Sequence, residues 1–80
     1  MITARLGEGD PYAPFRFHLG DEVAFRRNDG TPDPEMRGVI VEGTCEYQEG
    51  GGAYNDVYEV KRSDGTIFKA RSVVLGYWLR

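Results

Sequence analysis

Few side chains in this sequence have the chemistry that catalysis needs. His18 is the only histidine and Cys45 the only cysteine, so they are the first candidates for general acid–base chemistry and thiol chemistry, respectively. His18 lies just before a Leu-Gly-Asp turn, and we interpret it as a surface residue. Cys45 falls in the middle of the strand-like segment EGTCEY with no base beside it, and we interpret it as a small buried hydrophobe. We therefore predict no catalytic residue.

Two further motifs could suggest a ligand but do not fit one. The segment EGGGAYND is rich in glycine, yet no Lys-Ser or Lys-Thr pair and no helical pattern follows it, so we predict a flexible hairpin tip rather than a phosphate loop. Asp29, Asp33 and Glu35 do not have the spacing of a calcium loop, and we predict solvated loop carboxylates. One cysteine and one histidine are too few for a structural zinc site, so we predict no metal and no cofactor.

The aromatic residues offer a more specific signal for binding. There are ten in 80 residues, and a small core cannot hold them all. We predict that Phe25, Tyr58, Phe68 and Trp78 are core residues, whereas two tyrosines flank the glycine-rich tip beside two acids. Exposed rings stack on ligands and contact cations, each contact contributing about 0.5–2 kcal/mol. The predicted site for a protein or peptide is therefore Tyr47, Tyr54, Glu46 and Glu49.

The charges of the chain are segregated, which favours a second hypothesis. The net charge is −3, but residues 29–59 carry −7 and residues 60–80 carry +4. Basic side chains beside aromatic rings suit single-stranded nucleic acid. The predicted nucleic-acid face consists of Arg26, Arg27, Lys61, Arg62, Lys69 and Arg71.

Length and composition limit the class of protein. Eighty residues form one small domain, and a single cysteine permits no internal disulfide, so a tight β-core or self-association has to supply stability. The lone cysteine also favours a reducing compartment. Neither a signal peptide nor a membrane-spanning apolar run is visible. We predict a cytoplasmic protein with no membrane partner, able to form a homo-oligomer.

Short alternating segments separated by turn residues organise the chain. Residues 1–15 contain two prolines and two of the glycines, and we predict a flexible N-terminal arm with one short strand at residues 2–6. The strand-like segments DEVAFRR, RGVIVEGTCEYQ, VYEVKR and IFKA follow, and SDGT between the last two is a tight-turn signal. The final segment RSVVLGYWLR predicts a single helical turn and a closing strand. We predict an all-β, five-stranded small barrel over residues 16–80.

These segments resemble the SH3-like barrel superfamily. The motifs LGDEV, GVIV and YEVKRSDG are similar to those of Tudor and KOW modules over about residues 17–78. This resemblance implies the fold more than a function. It supports a non-catalytic interaction module as the leading hypothesis, with nucleic-acid binding as the alternative.

A second resemblance is to the type II, plasmid-borne dihydrofolate reductases. FHLGDEV and RGVIVEGTCEY match their opening and their cysteine-containing strand, and the resemblance implies a tetramer with a central pore for NADPH and dihydrofolate. That pore is lined by a Gln-Ile-Tyr triplet and a lysine. Here Thr66-Ile67-Phe68 stands in place of the triplet and Phe25 in place of the lysine. Because the amide and the phenol are missing, we expect a related barrel without the reductase activity. A reductase of this type remains a further alternative.

Overall fold

The computed structural model describes residues 1–10, 12–52 and 54–79. These residues form six β-strands and one 3-10 turn, so the all-β prediction is confirmed. The elements are β1 (Ile2–Arg5), β2 (Glu22–Arg26), β3 (Pro32–Tyr47), β4 (Tyr54–Lys61), β5 (Ile67–Arg71), a 3-10 turn (Ser72–Val74) and β6 (Leu75–Tyr77).

All strand pairs are antiparallel and belong to one sheet. The order of pairing is β5-β4-β3-β2-β6, and β1 pairs with the second half of β3. The sheet therefore has six strands: the five predicted over residues 16–80 are β2 to β6, and the N-terminal arm contributes β1. The last strand returns to lie beside β2, and the two end strands of the path, β5 and β6, do not pair with each other within the described ranges. The short strand predicted in the arm is confirmed; its flexibility stays a prediction.

Two Asp-Gly-Thr turns connect the strands of the two tight hairpins. In each one the aspartate, Asp29 or Asp64, accepts the backbone N–H of the threonine two residues later at 2.9 Å and its hydroxyl at 2.6 Å. These hydrogen bonds lower the pKa of both carboxyl groups. The first turn is so tight that β3 already begins at Pro32, and Asp33 and Glu35 therefore lie in β3 and not in the predicted long loop.

The core lies between the two ends of the curled sheet. Its fully buried members are Phe17, Val23, Ile40, Tyr58, Val60 and Leu75, with Phe15 and Phe68 packed against them. The prediction for Tyr58 is confirmed, and Phe68 lies at the border of the core. Phe25 and Trp78 are instead half-buried and outside this cluster. Phe25 lies outside the core because the register between β2 and β3 shifts between Ala24 and Arg26, and Ala24 is buried in its place.

The hydroxyl of Tyr58 is the centre of a buried polar network. It donates a hydrogen bond to Asp56 at 2.6 Å and accepts the backbone N–H groups of Arg16 at 2.8 Å and Phe17 at 3.1 Å. The second carboxylate oxygen of Asp56 accepts the hydroxyl of Ser72 at 2.6 Å. Burial, and then the hydrogen bond to Asp56, raise the pKa of Tyr58. The network thus joins β4, the segment before β2 and the 3-10 turn.

We expect Tyr58→Phe to lower the free energy of unfolding by about 1–3 kcal/mol, because two N–H donors and one carboxylate oxygen lose their partner inside the protein. Urea denaturation monitored by circular dichroism measures this loss. The control is Tyr54→Phe, which removes an exposed hydroxyl and should change stability by less than about 0.5 kcal/mol. Equal stabilities of the two variants would contradict the role of the network.

Gly38 permits the backbone of β3 to approach the end of β4 very closely. A Cβ at this position would overlap the carbonyl oxygen of Lys61 and lie 3.1 Å from the Cα of Arg62. Both are backbone atoms, which cannot move aside without displacing β4. The succession Val39, Ile40 and Val41 predicts either burial on both sides or a bulge near Gly38 or Gly43. The structure has a bulge between the two glycines, at Val41, and leaves Val39 and Val41 exposed, so burial on both sides is wrong.

We expect Gly38→Ala to destabilise the fold by about 1–3 kcal/mol through this overlap. Thermal and urea unfolding would be measured beside Thr44→Val, an exposed β-branched exchange on the same strand. A Gly38→Ala protein as stable as the Thr44→Val control would show that the two strands are not in this close contact.

Candidate functional site

Three tyrosines meet at one end of the sheet around an open groove of about 590 Å³, which we call the tyrosine groove. Two of them, Tyr47 and Tyr54, belong to the predicted site, and Tyr12 comes from the N-terminal arm. The lining residues are Ile2, Tyr12, Pro14, Tyr47, Gln48, Glu49, Gly50, Gly51, Gly52 and Tyr54. Rings, a proline and an aliphatic side chain therefore dominate the surface.

The β3–β4 hairpin places two of the rings. Tyr47 is the last residue of β3 and Tyr54 the first of β4, and the two are directly paired, so their side chains lie on the same face of the sheet. Gly50, Gly51 and Gly52 in the connecting turn have φ values of 85°, 105° and 111°, which L side chains rarely adopt. The tip consequently presents backbone to the groove between the two rings.

Asp10 connects the backbone of Tyr12 with the side chain of Tyr47. Its carboxylate accepts the hydroxyl of Tyr47 at 2.7 Å and the backbone N–H of Tyr12 at 2.9 Å. Both hydrogen bonds lower the pKa of Asp10, and the one to Tyr47 raises the pKa of that phenol to about 12. The ring of Tyr12 is 84% exposed and that of Tyr54 is 51% exposed. The groove thus has one fixed tyrosine and two accessible ones.

The two predicted acids lie on different sides of the hairpin. Glu49 lines the tyrosine groove. Glu46 precedes Tyr47 on β3 and is paired with Asn55, so its side chain lies on the opposite face of the sheet. The structure therefore brings together Tyr47, Tyr54 and Glu49 and separates Glu46 from them. The sequence predicts that Tyr12 and Phe15 attach the end of the arm to the barrel, but it does not show that Tyr12 lines the groove or that Asp10 binds Tyr47, because no local pattern indicates that the arm reaches the hairpin.

The six predicted basic residues lie on two parts of the sheet. Arg26 and Arg27 lie at the end of β2, which β3 separates from β4. Lys61, Lys69 and Arg71 lie on the same face of the paired strands β4 and β5, and Arg62 directly follows β4. Acids accompany several of them: Arg27 lies 3.7 Å from Asp33, and Arg62 lies 3.9 Å from Asp64. Lys69 lines a small pocket together with Glu42 and Glu59. The local charge at these places is mixed.

The remaining candidates for chemistry occupy structural positions. His18 is exposed, and its backbone N–H donates to Asp21. Cys45 is fully buried, and burial raises the pKa of its thiol, so the reactive thiolate is disfavoured. Among the described residues no three acids, histidines or cysteines are grouped as metal ligands, and no helix has the length and apolar character to cross a membrane.

The triplet at the reductase position is also divided between two faces. Ile67 is exposed on β5, whereas Phe68, its neighbour, packs against the core. Thr66 is held by Asp64 in the turn. The three side chains therefore do not line one surface of the chain.

Comparison with known protein families, curated proteins and solved structures found no match.

We expect Asp10→Asn to lower the pKa of Tyr47 from about 12 towards 10, because the carboxylate that holds the phenolic proton is removed. The folded chain keeps this proton to higher pH than the unfolded chain, so the contact stabilises the fold below about pH 10 and loses this effect as the pH rises towards 12. NMR titration of ¹³C-labelled tyrosine would measure the pKa. Asp29→Asn, far from the groove, should leave it unchanged; a Tyr47 pKa that is equal in both variants contradicts the contact.

Proposed function

We propose that the protein is a non-catalytic interaction module with an SH3-like fold, and that its tyrosine groove binds an extended, basic segment of a partner protein. The observation that carries the proposal is the meeting of three tyrosines from the arm and the β3–β4 hairpin around one groove. Exposed aromatic surface of this kind is costly to leave in water and is enriched where proteins bind each other.

The shape and lining of the groove favour an extended segment as its ligand. The groove is open, its tip is formed by three glycines, and its walls are the rings of Tyr12, Tyr47 and Tyr54. Such walls offer flat apolar faces to the side chains of a peptide at low cost in conformational entropy, because tyrosine has few rotatable bonds. The hydroxyl of Tyr47 is occupied by Asp10, so this ring offers the ligand its face rather than its polar tip.

Charge favours a basic ligand over a neutral or acidic one. The described lining of the groove contains Glu49 but no lysine or arginine, and its hairpin, residues 47–54, belongs to the segment that carries a net charge of −7. A lysine or arginine of the ligand would gain attraction to Glu49 and a cation–π contact with a tyrosine ring. Each of these contacts contributes about 1–2 kcal/mol in a partly desolvated site.

The order of the strands supports the SH3-like part of the proposal. The strands β2 to β5 form a meander, and after the 3-10 turn β6 returns to pair with β2. The single helical turn and the closing strand predicted from RSVVLGYWLR lie at these positions. The core aromatic Tyr58 and its neighbours fill the inside of the curled sheet, which leaves the hairpin ends for binding.

Nucleic-acid binding is less well supported because Arg26 and Arg27 lie apart from the basic residues of β4 and β5, and acids lie beside several of the six. The reductase alternative is less well supported because Thr66 and Phe68 stand where the pore triplet of that family has its amide and its phenol. Self-association and location in the cytoplasm stay predictions from the sequence.

The test is a panel of twelve-residue peptides in which arginines alternate with proline and alanine, with a charge-reversed panel in which glutamate replaces arginine. We expect the basic panel alone to bind, measured by fluorescence anisotropy and by NMR shifts at Tyr47 and Tyr54. Tyr54→Ala should weaken binding about tenfold and Glu49→Gln about fivefold, which corresponds to about 1–1.4 kcal/mol.

Two matched variants control for general effects. Glu46→Gln removes an acid from the opposite face of the same strand, and Ile67→Ala removes an exposed apolar side chain outside the groove; both should bind as the parent does. Equal loss in Glu46→Gln and Glu49→Gln would point to unspecific attraction and reject the groove. Binding of a single-stranded oligonucleotide that falls steeply with salt, without peptide binding, would favour the nucleic-acid alternative.

A further inference from the structure

A second cleft of about 680 Å³ lies away from the tyrosine groove, between the two hairpins that end in Asp-Gly-Thr turns. We call it the tryptophan cleft. Its principal lining residues are Trp78, Arg37, Lys61, Arg62, Glu22 and Glu35. The cleft exists because β3 leaves β4 beyond Gly38, so that the β2–β3 hairpin and the β4–β5 hairpin diverge there.

Arg37 is held in this cleft by the only tryptophan of the chain. The central carbon of its guanidinium lies over the ring of Trp78, 4.6 Å from the centroid. No ion pair links Arg37 to a carboxylate in the described part of the chain. A guanidinium held over a ring keeps its N–H groups available at its edge, and the contact reduces the conformational entropy lost when those groups bind a ligand.

Lys61 supplies a second cation to the same cleft. It is exposed at the end of β4 and paired with Val39 of β3, and it also has no ion-pair partner within the described residues. Arg62 differs, because it lies 3.9 Å from Asp64 and 3.5 Å from the Thr66 hydroxyl and is held at the turn. Arg37 and Lys61 are thus the two cations that a ligand can reach.

The acids of the cleft limit the size of the ligand. Among the described residues of the lining, three acids, Glu22, Glu35 and Asp64, balance three basic residues, so this part of the cleft carries no net charge. A long polyanion would gain little from such a surface. A single oxyanion that contacts Arg37 and Lys61 would gain short, charge-assisted hydrogen bonds and could stay clear of the exposed glutamates.

We propose that the tryptophan cleft binds one oxyanionic group, a carboxylate or a phosphate, with Arg37 as its bidentate donor and Lys61 as its second cation. Carboxylate and phosphate share the oxygen spacing that a guanidinium recognises. This site is separate from the tyrosine groove, and the proposal does not depend on the function proposed for that groove.

The experiment uses Trp78 as its own probe. Inorganic phosphate and acetate would be titrated separately at constant ionic strength, with sodium chloride as the reference, and tryptophan fluorescence would be followed together with backbone amide shifts of Gly38 and Val39. A saturable change with phosphate alone identifies a phosphate site, and one with acetate alone a carboxylate site. Saturation with both supports the shared chemistry. Changes no larger than those with sodium chloride overturn the proposal.

Variants separate the site from general electrostatics. We expect Arg37→Gln to weaken binding at least about tenfold and Lys61→Gln about threefold to fivefold, while Arg37→Lys keeps the charge but binds less tightly than the parent because it lacks the planar fork. Arg71→Gln removes an exposed cation of β5 outside the cleft and should bind as the parent does. Unchanged binding in Arg37→Gln, or equal losses in Arg37→Gln and Arg71→Gln, would refute the assignment. Circular dichroism confirms that each variant is folded.

Discussion

The fold depends on one buried hydroxyl. The phenol of Tyr58 accepts two backbone N–H groups of the segment before β2 and donates to one carboxylate oxygen of Asp56. The other oxygen of Asp56 accepts the hydroxyl of Ser72 in the 3-10 turn. A chain of this size has little apolar surface to bury, so an unpaired carboxylate in its interior would cost a large part of its stability. The same ring also contacts Phe15 and Phe17 edge to face. One side chain therefore joins apolar packing and polar satisfaction across distant parts of the sequence.

The long strand β3 connects the tyrosine groove with the tryptophan cleft. Its first half pairs with β2 and its second half with β1, while β4 runs along the other edge. The bulge at Val41 and the close approach of β4 at Gly38 lie between the half of β3 that pairs with β2 and the half that pairs with β1. As a result the tryptophan cleft opens near its start and the tyrosine groove at its end. Two chemically different surfaces thus share the strand β3. The groove at its end is acidic and aromatic, and the described lining of the cleft near its start is neutral and contains Arg37 and Lys61.

The N-terminal arm contributes to the site as well as to the sheet. Its strand β1 extends the sheet along β3, and Asp10 then connects Tyr12 with Tyr47. The ring positions of the groove consequently depend on segments more than 30 residues apart in the sequence. Residues 1–15, which the sequence shows as a segment containing glycine and proline, supply one wall of the groove.

Local chemistry in the sequence determined the strands, the turns and the aromatic signal. Alternation of side chains predicted the all-β class, and Asp-Gly predicted the β4–β5 turn, because both effects act between neighbours in the chain. The position of Tyr47 and Tyr54 on either side of the glycine-rich tip is predicted for the same reason. Tertiary structure alone decided that Phe17 and not Phe25 enters the core, that Glu46 and Glu49 lie on opposite sides, and that Arg37 meets Trp78. These outcomes depend on strand register and on contacts between distant segments, and a shift of one residue in register reverses the face of every side chain.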